Sequence, residues 1–185
     1  MLTLPRRNGA ALLAFVATLM LMAGGIGAAI VHFLLAGRQL ATQQLDREIA
    51  FRAAEAALRD AEADLMAATR GTSQRLAAWP APGTCGDGPQ RGICMAGGNP
   101  PVWHAWFDNR GDAGDGIGVP LGTFTGAALP ALPDDVIGAN RLPCYLIEIQ
   151  DDPPGPGMWP RLRVIALGMG RDPEVRVLLQ TEFQP

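Results

Sequence analysis

Lysine is absent from this chain: all 15 basic residues are arginine, set against 18 acidic residues, for a formal net charge of −3. That balance excludes a strongly basic nucleic-acid binder, and no nucleic-acid partner is expected. The missing lysine, beside much Ala, Arg, Gly and Pro, reads as a coding bias and carries no functional weight. Cysteine is also scarce, 3 in 185 residues, which excludes a small scaffold held by a disulfide framework. Histidine occurs twice. His32 lies in an apolar run, and His104 has Asp108 four residues on but no nucleophile marked by a motif. No catalytic constellation assembles from these, so a non-enzymatic protein without a cofactor is expected. Apolar residues are not scarce: at 48% of the chain they exclude disorder throughout.

Charge is missing locally as well. From Ala10 to Gly37, 28 consecutive residues include no Asp, Glu, Lys or Arg. A helix of about 20 such residues crosses a hydrocarbon core. Arg6 and Arg7 precede the run without an acid, which places residues 1–9 on the cytoplasmic side and the chain beyond Arg38 across the membrane. A cleaved secretory signal is the rival reading, but its apolar region is about 7–15 residues. Gly24, Gly25 and Gly27 weaken the middle of this helix, and small residues there let neighbouring helices approach. His32 falls near the exit side and reads as interfacial.

Proline and glycine are then both missing from Gln39 to Thr69, a stretch rich in Ala, Leu, Glu, Arg and Gln. These are helix formers. Phe51, Ala54, Leu58, Ala61, Leu65 and Ala68 recur at steps of three and four and predict one buried stripe, packed on a sheet. Leu45, Ile49, Ala53 and Ala56 mark a second stripe on the other side. Glu48–Arg52 and Glu55–Arg59 have the favourable acid-first i,i+4 order, and Gly71 is a helix stop. One helix from Ala10 to about Thr69 is therefore expected, roughly 90 Å long at 1.5 Å per residue. Two apolar stripes call for two partners, the chain's own domain and a neighbouring subunit. A coiled-coil stalk is the alternative, but no sustained heptad supports it.

Residues 71–141 are dense in Gly and Pro and read as a long irregular connection with one short strand near Val102–Phe107. Cys85 and Cys94, beyond the membrane in an oxidising compartment, are expected to pair. A metal site is the rival, though the spacing is not Cys-x-x-Cys and only His104 is near. Residues 142–185 contain three strand-like runs, Cys144–Ile149, Arg161–Leu167 and Glu174–Phe183, joined by short turns. They predict an antiparallel meander with one face on the helix and the other wet. Cys144 is read as a buried strand thiol. Asp108, Asp112 and Asp115 lie in a glycine-rich loop, a weak calcium candidate whose spacing departs from the EF-hand pattern. Trp79, Trp103, Trp106 and Trp159 either pack on the sheet or form an adhesive patch.

Three pieces of this sequence resemble the type IV pilins, and specifically the PilX group of minor pilins. They are Arg-Arg-Asn-Gly9 before Ala10 and the apolar run, the helical segment Ala50–Glu62, and the C-terminal Arg163–Gly170 with Val175–Gln180. The resemblance implies an α+β, pilin-like fold: a long N-terminal helix, membrane-spanning over 10–37 and amphipathic over 38–70, packed on a small antiparallel β-sheet domain. It implies a leader, residues 1–9, removed by prepilin peptidase between Gly9 and Ala10, and methylation of the Ala10 amine. Implied partners are the major pilin, other minor pilins, the peptidase and an inner-membrane assembly platform, with lipid covering the helix before assembly. The protein would then move from the inner membrane, C-terminus periplasmic, to a surface pilus. Most pilins carry glutamate at the fifth position after cleavage, where this chain has Ala14. In the family that acid pairs with a neighbouring subunit's N-terminal amine, so its absence points to priming of assembly and a place at or near the tip. A minor pseudopilin of a type II secretion system, and a signal-anchored periplasmic domain with a ligand or reaction of its own, are the alternatives.

Overall fold

The computed structural model describes residues 8–71, 74–108, 117–133, 136–150 and 160–183. The chain divides into two compact units between Gln44 and Leu45. One helix, α1 (Asn8–Thr69), contributes to both. In the first unit every described side chain, residues 11–44, is exposed. This helix is long and apolar enough to cross a membrane, with a mean hydropathy of 2.2 over its most apolar 18-residue window. The helix ends where the sequence requires: Gly71 takes φ +72°, a left-handed turn that glycine adopts without strain.

The second unit is a helix laid on a small mixed sheet. Its elements after α1 are β1 (Ile93–Met95), a short helix α2 (Val102–Asp108), β2 (Val119–Pro120), β3 (Cys144–Ile149), β4 (Leu162–Met169) and β5 (Arg176–Phe183). The strands run in the order β1-β3-β4-β5, with β2 also paired to β3. The expected meander is present: β3–β4 and β4–β5 are antiparallel, with Ile147 opposite Val164 and Ala166 opposite Leu179. The sheet is not wholly antiparallel, however. β1 pairs parallel to β3, Ile93 opposite Ile147. Parallel neighbours need a long crossover, and the stretch from β1 to β3, carrying α2, supplies it.

Two further expectations are corrected. The segment near Val102–Phe107 is helix, not strand. Val102, Trp103, Trp106 and Phe107 recur at helical steps after Pro100 and Pro101, and proline suits a helix start. The second face of the sheet is not wet. Trp106 from α2 is 1% exposed and packs with Leu146, Ile165 and Leu167 on the side away from α1. That is why all six residues of β3 are buried.

The α1 side of the core joins Ala57, Ala61 and Leu65 to Tyr145, Ile147, Ile149, Leu162, Val164 and Ala166. Of the residues expected to pack helix on sheet, Ala54, Ala61 and Leu65 are at most 1% exposed and Leu58 packs at the edge. Phe51 does not; it is 39% exposed. The buried stripe runs instead through Ala50, Ala53, Ala54, Ala57, Ala61, Leu65 and Ala68. Its side chains are nearly all methyl groups, so the helix lies close on the strands. Phe51 follows Ala50 and is turned about 100° away from it at 3.6 residues per turn.

Candidate functional site

Three aspartates on α1 tie the helix to the rest of its unit. Asp46, Asp60 and Asp64 fall on the same stripe as the buried alanines, at 7%, 3% and 2% exposure. An unpaired carboxylate at such a depth is costly, so each has partners. Asp46 accepts hydrogen bonds from the backbone N–H groups of Arg171 (2.8 Å) and Asp172 (3.1 Å), in the turn between β4 and β5, and from Nε of Arg171. Asp60 accepts from the Gly122 N–H at 2.7 Å and from the Thr125 hydroxyl, in the turn after β2. Asp64 accepts from Nε of Arg75 at 2.9 Å and from the Tyr145 hydroxyl at 2.8 Å, on β3. None of these three acids was singled out by the sequence reading. The signal was present in the pattern: acids on the buried stripe are aspartates, while Glu48 and Glu55 flank it.

The disulfide expected between Cys85 and Cys94 is formed. It closes a short loop, which contributes about 2–3 kcal/mol by restricting the unfolded chain. The loop has a second role. Nη1 of Arg75 donates to the carbonyls of Pro89 (2.5 Å) and Arg91 (2.7 Å), both inside it. The Arg75 guanidinium also stacks 3.7 Å from the centre of the Phe124 ring. Disulfide loop, buried arginine, Asp64 and Tyr145 thus form one connected cluster beneath the helix. Burial, with the Asp64 charge beside it, pushes the Tyr145 hydroxyl well above the usual tyrosine range, so it stays protonated as a donor. Cys144 is a buried free thiol on β3, and burial pushes it up to about 12.

Burial alone would raise the Asp46 carboxyl. The two backbone N–H groups and the Arg171 guanidinium outweigh that and hold it below the ordinary aspartate range. A group lowered in the folded state stabilises it above its unfolded value, about 3.9, and loses that contribution as pH falls through the folded value. Asp46→Asn is therefore expected to be less stable than the parent at pH 7. The gap should narrow between pH 5 and pH 2, measured by urea unfolding at each pH in mild detergent. A gap independent of pH would refute the charge-based account of this anchor.

Beside this stripe lies an open groove of about 690 Å³. One wall is α1, with Leu45, Ile49 and Ala56 of the expected second stripe; Ala53, expected in that stripe, also borders the groove but is 5% exposed and belongs to the buried stripe. The other wall comes from Leu129, Pro130, Leu132 and Val136–Ala139. Leu45, Leu132, Val136 and Ile137 stand 52%, 52%, 49% and 73% exposed. The paired charges Glu48–Arg52 (2.8 Å) and Glu55–Arg59 (2.7 Å), anticipated as i,i+4 pairs, line it as well.

The remaining predicted site residues are scattered by comparison. The backbone of Gly9 and Ala10 is helical, while the leader through Arg7 lies outside the described residues. Ala14 is exposed. A side chain at Gly24, Gly25 or Gly27 would meet nothing within 4 Å. The calcium candidates Asp112 and Asp115, and the side chain of Asp108, lie outside the described residues, as does Trp159. Among the described residues no group of three His, Cys, Asp or Glu is placed to hold a metal. His104 is exposed on α2 with its ring 4.5 Å from that of Trp103. Trp79 packs on the α1 side of the sheet and Trp103 and Trp106 on the other, so these three form no common surface patch. Comparison of the chain with protein-family models, with curated proteins and with solved structures found no match.

Proposed function

We propose that this protein is a minor pilin of the PilX type, a non-enzymatic filament subunit that helps start type IV pilus assembly and sits at or near the tip. The observation that carries the reading is the division of labour along α1. Residues 11–44 are exposed in the chain itself, and from Ala10 to Gly37 they are uncharged, so they need either lipid or other protein around them. From Asp46 to Ala68 the same helix buries alanines and aspartates against its own sheet. A membrane anchor alone needs the first half only. A subunit that is drawn from the bilayer into a bundle needs both, because the second half carries the domain with it.

On this reading the Gly9–Ala10 bond is hydrolysed on the cytoplasmic side and the Ala10 amine is methylated. The apolar helix then exchanges lipid for protein contacts, so that close packing, aided by Gly24, Gly25 and Gly27, drives association. Ala14 supplies no carboxylate for a neighbour's amine. A buried charge pair is thereby lost, and so is the cost of burying an acid that has no amine beside it. That suits a first subunit better than one repeated along the shaft.

The test is the mature N-terminus, read by mass spectrometry of the membrane-extracted protein with and without prepilin peptidase. The expected result is a chain beginning at methylated Ala10 only when the peptidase is present. A chain retaining Met1–Gly9, or cut after residue 30, removes the pilin reading.

A further inference from the structure

Strand β5 lies at one end of the strand order, and its outer edge has the make-up of a peptide-binding site. The β4–β5 ladder fixes which of its main-chain groups are already used. The Gly170 N–H donates to the Val175 carbonyl, so the odd-numbered residues of β5 turn their N–H and C=O groups toward β4. Arg176, Leu178, Gln180 and Glu182 turn theirs outward, and among the described residues none of these outward groups has a hydrogen-bond partner. Proteins usually blunt such an edge by keeping it short or by placing Lys, Pro or a bulge in it. β5 has eight residues in unbroken register with β4, contains no Pro, and is uncharged from Val177 to Thr181.

We infer that the outer edge of β5 binds an extended segment of a partner protein as an added antiparallel strand. Main-chain pairing with the outward residues supplies affinity, and side chains on either face set the sequence. On the α2 face the two ends of the edge carry opposite charges, Arg176 and Glu182. Arg176 is held in place by the Phe107 carbonyl, 2.6 Å from its Nη1, and Glu182 is exposed. On the α1 face Val177 and Leu179 are half-buried, beside Gly168 and Ala166 of β4. A matching antiparallel strand has a basic residue opposite Glu182, an acidic one opposite Arg176, and aliphatic or β-branched residues opposite Val177 and Leu179. A second copy of this chain meets that pattern in sequence but not in geometry. Two antiparallel β5 strands would share a two-fold axis perpendicular to the sheet. The α1 helices, each laid on its own sheet from Asp46 to Ala68, would then run in opposite directions, which two chains inserted alike in one membrane cannot adopt. The occupant is therefore a different protein that presents a strand-like segment. This goes beyond the filament reading and does not depend on it.

The experiment uses the full chain in mild detergent and a capped synthetic peptide with the sequence of residues 176–182, which satisfies the pattern when it runs antiparallel to β5. Amide hydrogen exchange is read residue by residue. In the free chain the N–H groups of Leu178, Gln180 and Glu182 are expected to exchange roughly tenfold or more faster than those of Leu179 and Thr181, and to gain protection when peptide is added. Slow exchange at all five positions in the free chain would mean that another part of the chain covers the edge, and overturns the inference. The peptide is expected to bind saturably. N-methylation of its third and fifth residues, whose N–H groups face β5, should weaken binding roughly tenfold or more, and N-methylation of its second and fourth should not. Gln180→Pro removes an outward donor and leaves the β4 ladder intact, so it should weaken binding as much with little change in the unfolding midpoint. Glu182→Arg should weaken binding as well, and a peptide with Glu in place of its Arg should recover it. No saturable binding at millimolar peptide, or equal binding of the two methylated forms, overturns the inference. A concentration-dependent dimer of the full chain that Gln180→Pro abolishes would give the edge to a second copy and overturn it too. The mature N-terminus tests the filament reading separately, and either result there leaves this one standing.

Discussion

Replacing Asp64 with alanine is expected to cost the folded domain about 3–5 kcal/mol, the range for removing one partner of a buried ion pair. Asp64 and Arg75 are each 2% exposed, so water cannot replace the lost carboxylate. Three groups are affected together. Nε of Arg75 loses both oxygens it donates to, the Tyr145 hydroxyl loses its acceptor, and the guanidinium is left charged beneath the helix. It keeps the carbonyls of Pro89 and Arg91, but Nη2 already has no hydrogen-bond partner. Asp64→Asn retains volume and one acceptor and should fall between parent and alanine. Asp64→Leu combined with Arg75→Met should lose less than the two single changes added together, because it removes both charges at once. Urea unfolding of the detergent-solubilised full chain, followed by the fluorescence of buried Trp106, reads all of these. Glu48→Ala, in an exposed ion pair, should shift the midpoint too little to resolve. An Asp64→Ala midpoint as small in effect as that of Glu48→Ala would show that the cluster does not hold helix to sheet.

That cluster also marks where the sequence was legible and where it was not. The long helix was plain, because 31 residues from Gln39 to Thr69 without Pro or Gly leave few alternatives. The meander was plain as well, since β3, β4 and β5 are consecutive and joined by turn-forming residues. Residues 71–141 were harder because their order comes from distant partners. β1 is three residues long and is defined by β3, far along the chain. α2 is seven residues rich in aromatics, which local preference assigns to strands. The helix stripe was misplaced by one residue at Phe51 for a related reason. Bulk drew attention to the phenylalanine, while the true contact surface is alanine, whose value lies in letting backbones approach. The buried aspartates were missed because an acid on an apolar stripe reads as an interruption until its partners, 11 to 126 residues away, are in place.

The close approach of helix and sheet leads to the other large effect. Gly168→Val on β4 is expected to destabilise the domain by about 3 kcal/mol or more, at the upper end of overpacking costs. A Cβ at Gly168 would lie 2.1 Å from the Ala50 carbonyl oxygen and 2.3 Å from the Ala54 backbone nitrogen. Both are main-chain atoms of α1, so no rotamer change relieves the overlap. The helix would have to lift, taking Ala50, Ala53 and Ala54 off the strands and straining the nearby anchor of Asp46 to the Arg171 and Asp172 N–H groups. Gly168→Ala should already show most of the loss, because the first carbon makes the clash. Trimming Ala50 to glycine should not rescue it, since the obstructing atom is a carbonyl oxygen and not the Ala50 side chain. Gly25→Ala is the contrast: nothing lies within 4 Å of that position, and the domain's unfolding midpoint should not move. A Gly168→Ala protein as stable as the parent, or one rescued by Ala50→Gly, would mean that helix and sheet are not in backbone contact at this point. If they are in contact, the position of α1 on the sheet is fixed by a single missing side chain, and the groove walled by the helix's other stripe is fixed with it.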